Sequence, residues 1–366
     1  MKILSIFGTR PEAIKMAPVV RQLAQTPGID ARVCVTAQHR EMLDQVLALF
    51  DIQPDIDLNL MRPNQSLAEL TAAVFTHLDP VLADIQPDWI LVQGDTTTVM
   101  AAALNAYYRR IRVGHVEAGL RTHDKWQPFP EEINRRVAGV TADLHFAPTK
   151  WSRQNLLKEG VPDEQIHVTG NPVIDALHFV AGQPVPKTVA SLMSTFGERR
   201  LVLVTAHRRE NFGQPIGNIC NALKALAARG DVEIVYPVHL NPHVQEPVQR
   251  LLGDVPHITL LPPLEYLPLV HLMKNASVIL TDSGGVQEEA PAFGVPALVL
   301  RDVTERPEGV QAGTLKLVGT DTKKIVSEAN YLLNDPQAHA AMAHAVNPFG
   351  DGKAAERIVR ALLRFA

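Results

Sequence analysis

The sequence predicts an α/β protein with two doubly wound parallel sheets. Short, continuously apolar runs rich in β-branched residues alternate with longer amphipathic stretches, as expected for parallel strands covered by helices on both faces. The chain has 366 residues, more than one typical domain contains. The alternation also starts again at Leu201, after an irregular segment with two prolines at residues 183–186.

The elements follow in chain order. In the first half, apolar runs predict strands at Lys2–Phe7, Ala31–Thr36, Trp89–Gln93 and Val113–Val116, with helices at Ser66–Ile85 and Thr97–Tyr108. In the second half, they predict strands at Leu201–Thr205, Glu233–Pro237, Ile258–Leu261, Ser277–Thr281 and Ala297–Leu300, with helices at Ile216–Ala228 and Thr322–Leu333. We expect the boundary near Asn171. A last amphipathic helix is predicted at Lys353–Phe365, and its pattern suits packing on either domain.

Composition narrows the functional class. With 35 basic and 39 acidic residues, the net charge is −4, which gives no electrostatic reason to expect nucleic acid or an anionic membrane as a partner. No apolar run is long enough to span a bilayer, and residues 1–8 lead into Thr9-Arg10-Pro11-Glu12 with no signal-peptide cleavage site. Cys34 and Cys220 are the only cysteines, so no disulfide framework is predicted. We therefore expect a cytoplasmic location.

The sequence lacks two common nucleotide-binding motifs, and this absence narrows the chemistry. The sequence contains neither G-x-G-x-x-G after its first strand nor G-x-x-x-x-G-K-[ST], so hydride chemistry on a bound nicotinamide is not indicated, and no cofactor is predicted. Thr281-Asp282-Ser283-Gly284-Gly285 follows a strand and opens a helical run, where backbone amides can approach a phosphate. An ordinary tight turn explains the same residues equally well. Arg306 either adds positive charge nearby or forms a surface ion pair.

Acidic residues follow strands or open a helix in the first half. Asp95 and Glu117 come directly after two predicted strands, and Glu131 and Glu132 open a helix. Single acids at such positions are usually caps or solvated, but two at neighbouring strand ends favour acid–base chemistry. His207 follows a buried strand and precedes two arginines.

A metal site is not predicted. His239 and His243 have i, i+4 spacing, but Pro242 between them argues against a helix that presents both rings to one ion.

Seven motifs in order resemble those of the non-hydrolysing UDP-N-acetylglucosamine 2-epimerases. The resemblance covers essentially the whole chain. The motifs are Phe7–Ala13, Thr36–Met42, Gly94–Thr98, Gly114–Arg121, His207–Asn211, Asp282–Gly285 and Thr304–Glu308.

The resemblance implies a fold and a reaction. The fold is two Rossmann-like domains with a central cleft, similar to glycosyltransferases of the B type. Its last helix returns to the first domain, so residues 1–171 with 353–366 form the first domain and residues 172–352 form the UDP-binding second. The reaction interconverts UDP-N-acetylglucosamine and UDP-N-acetylmannosamine, through loss and re-addition of UDP with 2-acetamidoglucal between them. Family members form homodimers and supply mannosamine units for bacterial surface polysaccharides.

The resemblance also assigns residues. The UDP-sugar-contacting positions are Arg10, Lys15, Asp95, Glu117, His207, Ser283, Gly284, Gly285, Glu289 and Arg306. Asp95, Glu117 and Glu131, with His207, match the catalytic positions. Gln38, Glu41 and His239 match a region that binds a second UDP-sugar as activator, although some family members have Gln where Glu41 stands.

Three other functions fit part of the sequence. A glycosyltransferase of the same architecture and a hydrolysing 2-epimerase use the same UDP motifs. A non-catalytic UDP-sugar sensor also explains the phosphate motifs, but it leaves the three acids without a role.

Overall fold

Two compact units make up the chain. The computed structural model describes residues 1–36, 40–62 and 64–365. One unit comprises Met1–Ala176 with Phe349–Ala366, and the other comprises Leu177–Pro348. Each has its own buried apolar core, made of strand side chains and of the helix faces that cover them.

The first unit is a parallel sheet with helices on both faces. Within the described residues the sheet has seven strands in the order β3-β2-β1-β4-β5-β6-β7. They are β1 (Lys2–Phe7), β2 (Asp30–Val35), β3 (Ile56–Asp57), β4 (Trp89–Gln93), β5 (Arg112–Val116), β6 (Leu144–Ala147) and β7 (Ile166–Val168). The helices are α1 (Arg10–Ala24), α2 (Arg40–Leu49), α3 (Leu67–Ile85), α4 (Thr97–Tyr108), α5 (Glu131–Thr141) and α6 (Lys150–Lys158). Helix α7 (Pro172–Ala181) carries the chain out of this unit.

The second unit repeats this architecture. Its described strands form a six-stranded parallel sheet in the order β10-β9-β8-β11-β12-β13. They are β8 (Arg200–Thr205), β9 (Val232–Pro237), β10 (Ile258–Leu261), β11 (Val278–Thr281), β12 (Ala297–Val299) and β13 (Leu315–Leu317). The helices are α8 (Lys187–Ser194), α9 (Gln214–Ala227), α10 (Pro242–Leu252), α11 (Tyr266–Asn275), α12 (Gly284–Glu289), α13 (Pro307–Ala312), α14 (Thr322–Asn334) and α15 (Pro336–Ala343).

The predicted fold class is confirmed. The nine predicted strands and four predicted internal helices are present, with ends that differ by at most two residues. The sequence analysis did not identify the strands β3, β6, β7 and β13, which have two to four residues each. Runs this short carry little periodicity, and they become strands only because a neighbour in the sheet offers backbone hydrogen bonds.

The strand order determines where a ligand site forms. In each sheet the chain reverses direction of winding between two adjacent strands, β1 and β4 in the first unit and β8 and β11 in the second. Loops that leave the carboxyl ends of two such strands diverge to opposite faces and leave a crevice.

The C-terminal helix belongs to the first unit. Helix α16 (Ala354–Leu362) packs against α1. Its first two backbone amides, of Ala354 and Ala355, donate to the Asp175 carboxylate at 3.1 and 2.9 Å. An acidic side chain at a helix N-terminus is a favourable cap.

Within the described residues of the structure, no helix combines the length and the apolar character needed to cross a bilayer.

Candidate active site

The Glu117 side chain is tightly constrained at the sheet edge of the first unit. It directly follows β5, it is buried, and its backbone has a φ of +62°, which few side chains adopt without strain. Its Oε1 accepts from Lys15 Nζ at 2.5 Å and from Asn171 Nδ2 at 2.9 Å, while Oε2 accepts from Gln93 Nε2. Both carboxylate oxygens are therefore held by donors.

Lys15 lies beside Glu117 in the first unit. The resemblance gives this lysine as a UDP contact, whereas here its ammonium forms an ion pair with the Glu117 carboxylate. The two side chains are 14% and 4% exposed, so solvent screens this pair little. A cation this close favours the ionised form of the carboxylate.

Asp95 lies at the end of the neighbouring strand, β4. Burial raises the pKa of Asp95, with a further upward contribution from the negative charge of Glu117, while the Arg135 cation opposes the shift. Arg135 Nη2 donates to Asp95 Oδ2 at 2.5 Å, and Asn134 Nδ2 donates to the Asp95 backbone carbonyl at 3.0 Å. Two carboxylates with different electrostatic surroundings are thus brought together.

The two glutamates that open α5 have different surroundings. Glu132 is fully buried and accepts from the backbone amides of Thr122 and His123, each at 3.1 Å, and from Arg135. Its role is to anchor the loop before α5. Glu131 is the first residue of α5 and is only partly buried.

The turn after β1 lies at the same edge of the sheet as the loops after β4 and β5. A β-carbon at Gly8 would lie 1.9 Å from Thr36 Oγ1, so the turn after β1 requires glycine. The buried Glu12 carboxylate accepts from the amides of Gly8 and Thr9 and from Thr96 Oγ1, which links this turn to the loop after β4. Burial raises the pKa of Glu12. These contacts make the turn rigid, and Arg10, the first residue of α1, directly follows it.

In the second unit, Asp282 organises the loop that carries His207. These residues follow β11 and β8, the two strands of the crevice. The Asp282 side chain is fully buried, and its Oδ2 accepts from the amides of His207 and Arg208 and from Asn211 Nδ2, at 2.8 to 2.9 Å. A buried carboxylate with three donors fixes this loop.

The His207 ring stacks on His239. The ring centroids are 5.4 Å apart, and the planes differ by 13°. Burial lowers the pKa of His207, as do His239 and Arg208, while the Asp282 charge opposes the shift. The neutral imidazole is therefore favoured at neutral pH, and it can donate one hydrogen bond without an added charge.

Small residues and two arginines meet at the start of α12. A β-carbon at Gly284 would lie 3.2 Å from the Arg306 guanidinium carbon and 3.4 Å from an Arg208 nitrogen. Arg306 is oriented by Glu288 and Glu305, each at 2.8 Å. Guanidinium groups beside exposed backbone amides suit a phosphate group.

The structure describes some of the remaining predicted site residues and leaves others outside its description. Glu289 is buried and accepts from Tyr266 Oη at 2.8 Å, and Ser283 and Gly285 flank Gly284 in the same turn. Gln38 lies outside the described residues. Glu41 is part of α2, but its side chain also lies outside the description.

Sequence reasoning assigned no site role to the partners of the acids. Gln93, Arg135 and Asn171 support Glu117 or Asp95, and Arg208 lies at Gly284. The signal available for Gln93 was a polar residue that ends a buried strand. Arg135 and Asn171 lie 40 and 54 residues from the acids they contact, so no local pattern connects them.

Comparisons with known proteins agree with each other. Residues 21–363 match the family model described as UDP-N-acetylglucosamine 2-epimerase. The chain is 56% identical to "UDP-N-acetylglucosamine 2-epimerase" of Escherichia coli (strain K12), over 99% of this chain and 98% of the relative. The protein of the same name from Salmonella typhimurium is 55% identical, with the same coverage. The crystal structure of "UDP-GlcNAc 2-epimerase from Neisseria meningitidis bound to UDP-GlcNAc" is similar over 100% of both chains, with a TM-score of 0.92 and 50% identity.

Proposed function

The chain belongs to the UDP-N-acetylglucosamine 2-epimerase family, and we propose that it inverts C2 of UDP-N-acetylglucosamine by losing and re-adding UDP. The product is UDP-N-acetylmannosamine, and the reaction is reversible. We propose that it supplies mannosamine units for surface polysaccharides, and that it does so in the cytoplasm, where the unpaired Cys34 and Cys220 would stay reduced.

Elimination is the route that the chemistry of C2 favours. This carbon is not next to a carbonyl, so direct loss of its proton is very unfavourable. As the C1–O bond breaks, its electron pair leaves with UDP, and the positive character at C1 acidifies the C2 proton. A carboxylate takes that proton, and the C2–H pair becomes the C1–C2 double bond of 2-acetamidoglucal. UDP then adds to C1 while a proton reaches the opposite face of C2.

Different residues take the binding and the chemistry. We assign the departing diphosphate to His207, Arg306, Ser283, Gly284 and Gly285, and we assign Arg10 to UDP binding as well. We assign the ribose hydroxyls to Glu289. The proton transfers and the stabilisation of positive charge at C1 belong to Asp95, Glu117 and Glu131.

The constrained geometry of Glu117 is the observation on which this proposal depends. A binding protein has no need of a buried carboxylate on a strained backbone whose two oxygens are held by donors from three separate segments. Such a group suits proton transfer, because its orientation and its charge are set before the substrate arrives. This argues against the sensor alternative.

Epimerisation in heavy water tests the mechanism. Deuterium should appear at C2 of the product without added NAD and in the presence of a chelator, accompanied by slow release of UDP and 2-acetamidoglucal. Proton NMR of the same sample separates the alternatives, since a hydrolysing enzyme gives free UDP with N-acetylmannosamine and a sensor gives no product. Quantitative retention of the original C2 hydrogen would refute elimination.

A homodimer is also proposed. Tyr107 and Tyr108 at the end of α4 and Val140 at the end of the adjacent α5 are 61%, 67% and 88% exposed. Exposed apolar side chains on neighbouring helices are typical of a protein interface. Tyr108→Arg with Val140→Glu should convert a dimer to monomers in analytical ultracentrifugation, whereas a monomeric parent would refute the proposal.

We propose a second UDP-sugar as activator. Its expected region includes Gln38 and Glu41, and the stack of His239 on His207 offers a path to the diphosphate site. Initial rates should rise sigmoidally with UDP-sugar, and His239→Ala should make them hyperbolic. Hyperbolic rates in the parent would refute activation.

A further inference from the structure

Asn171 connects Glu117 to the point where the chain leaves the first unit. It stands between β7 and α7, and it is 1% exposed. Its backbone amide donates to the Phe349 carbonyl at 2.7 Å. Phe349 is the residue at which the chain returns to the same unit. Its side chain caps α7, because Oδ1 accepts from the Val173 amide at 3.1 Å.

These contacts fix which way the carboxamide faces. Since Oδ1 is used by the Val173 amide, Nδ2 is the atom that faces Glu117, and it donates to Oε1 at 2.9 Å. Lys15 Nζ donates to the same oxygen. A buried donor held by Phe349 and Val173 keeps the Glu117 oxygen in one place, and it stabilises the ionised carboxylate more than the neutral acid.

We propose that Asn171 is a positioning residue for catalysis, one that orients the Glu117 carboxylate and favours its ionised form. This inference rests on the proposed catalytic role of Glu117. It goes beyond that role because it gives a function to a residue outside the acidic set.

Two substitutions separate the hydrogen bond that Asn171 donates to Glu117 from its capping of α7. Aspartate and serine both cap helices well, so Asn171→Asp and Asn171→Ser should preserve α7 and the fold. Asn171→Ser removes the donor and adds no charge. Asn171→Asp has nearly the same shape but places a second carboxylate against Glu117, which disfavours the ionised form of Glu117. Among the described residues, the titratable groups that act on Glu117 include Lys15, Asp95 and His115, and burial lowers the pKa of His115 to about 4, so it stays neutral.

The expected kinetics follow from these differences. A hydrogen bond to a charged group contributes more free energy than one between neutral groups. Asn171→Ser should therefore lower kcat about tenfold or more, with KM changed less than about threefold. In Asn171→Asp the acid limb of the kcat/KM profile should move about one pH unit higher. A merely structural residue would reduce the folded fraction without moving that limb. Circular dichroism with UDP titration calorimetry checks that both variants fold and bind UDP.

Glu117→Gln is the reference that separates two failures. If it turns over like the parent, Glu117 is not catalytic and the proposed function of this carboxylate fails. If Glu117→Gln is inactive while Asn171→Asp keeps the parent acid limb and Asn171→Ser keeps the parent kcat, the positioning role of Asn171 is refuted. A shifted acid limb together with inactive Glu117→Gln supports both.

Discussion

The Lys15–Glu117 pair allows stability and catalysis to be separated in one experiment. The perturbations are Lys15→Met, Glu117→Gln and the double variant. The charged atoms are 2.5 Å apart, so the Coulomb attraction at an effective dielectric constant of 20 is about 7 kcal/mol, much of it offset by the loss of hydration. Removing one partner leaves the other charge poorly solvated. Each single substitution should therefore lower the free energy of unfolding by about 3–5 kcal/mol.

The double variant should be more stable than the two single losses predict when added. Its coupling energy should be about 2–3 kcal/mol, because neither unpaired charge remains. The chain's three tryptophans, Trp89, Trp126 and Trp151, all lie in the first unit, so fluorescence during urea unfolding monitors that unit. The exposed Arg109–Asp79 pair of the same unit is the matched control, and its coupling should be clearly smaller.

Activity should not follow stability. Glu117→Gln should lower kcat by about 10²–10⁴, the usual contribution of a general acid or base, and the double variant should stay as inactive despite its recovered stability. Additive stability losses would refute the buried coupling. Recovery of turnover in the double variant would refute the catalytic role of Glu117.

Three further predictions follow from the electrostatics. Arg208→Ala should weaken UDP affinity at least about tenfold in calorimetry, because it removes a charge-assisted contact beside Gly284. Arg135→Met should move the acid limb of the pH–rate profile to higher pH, since the pKa of Asp95 is already raised by burial and loses the cation that opposes this shift. Asp282→Asn should lower the pKa of His207 further, measured by NMR titration, because the carboxylate that favours the imidazolium is gone.

Matched variants make these outcomes decisive. Arg209→Ala removes an exposed neighbour of Arg208 and should leave UDP affinity unchanged. Equal losses in both arginine variants would point to net charge rather than to a specific contact. An unmoved acid limb in Arg135→Met would exclude a contribution of Asp95 to that limb beside the one expected from Glu117, and an unchanged His207 pKa in Asp282→Asn would contradict the assigned electrostatic contact.

Sequence patterns alone predict the fold class and the loops that carry the candidate site. Continuous apolar runs identify buried parallel strands because both faces of such a sheet are covered, and the residue after each strand must lie at one edge. That reasoning located Asp95, Glu117, His207 and the Ser283–Gly285 turn at strand ends. It failed for β3, β6, β7 and β13, whose pairing depends on a neighbour in the sheet rather than on their own pattern.

The groups that face the candidate site residues depend on the tertiary structure. Lys15 is an ion-pair partner of Glu117, and Glu132 anchors a loop through the amides of Thr122 and His123. Asn171 stands 54 residues after the carboxylate it holds. Contacts between distant segments depend on how helices pack on the sheet, and neither local spacing nor composition contains that information. The electrostatics of the acids therefore follow from the fold and not from their motifs.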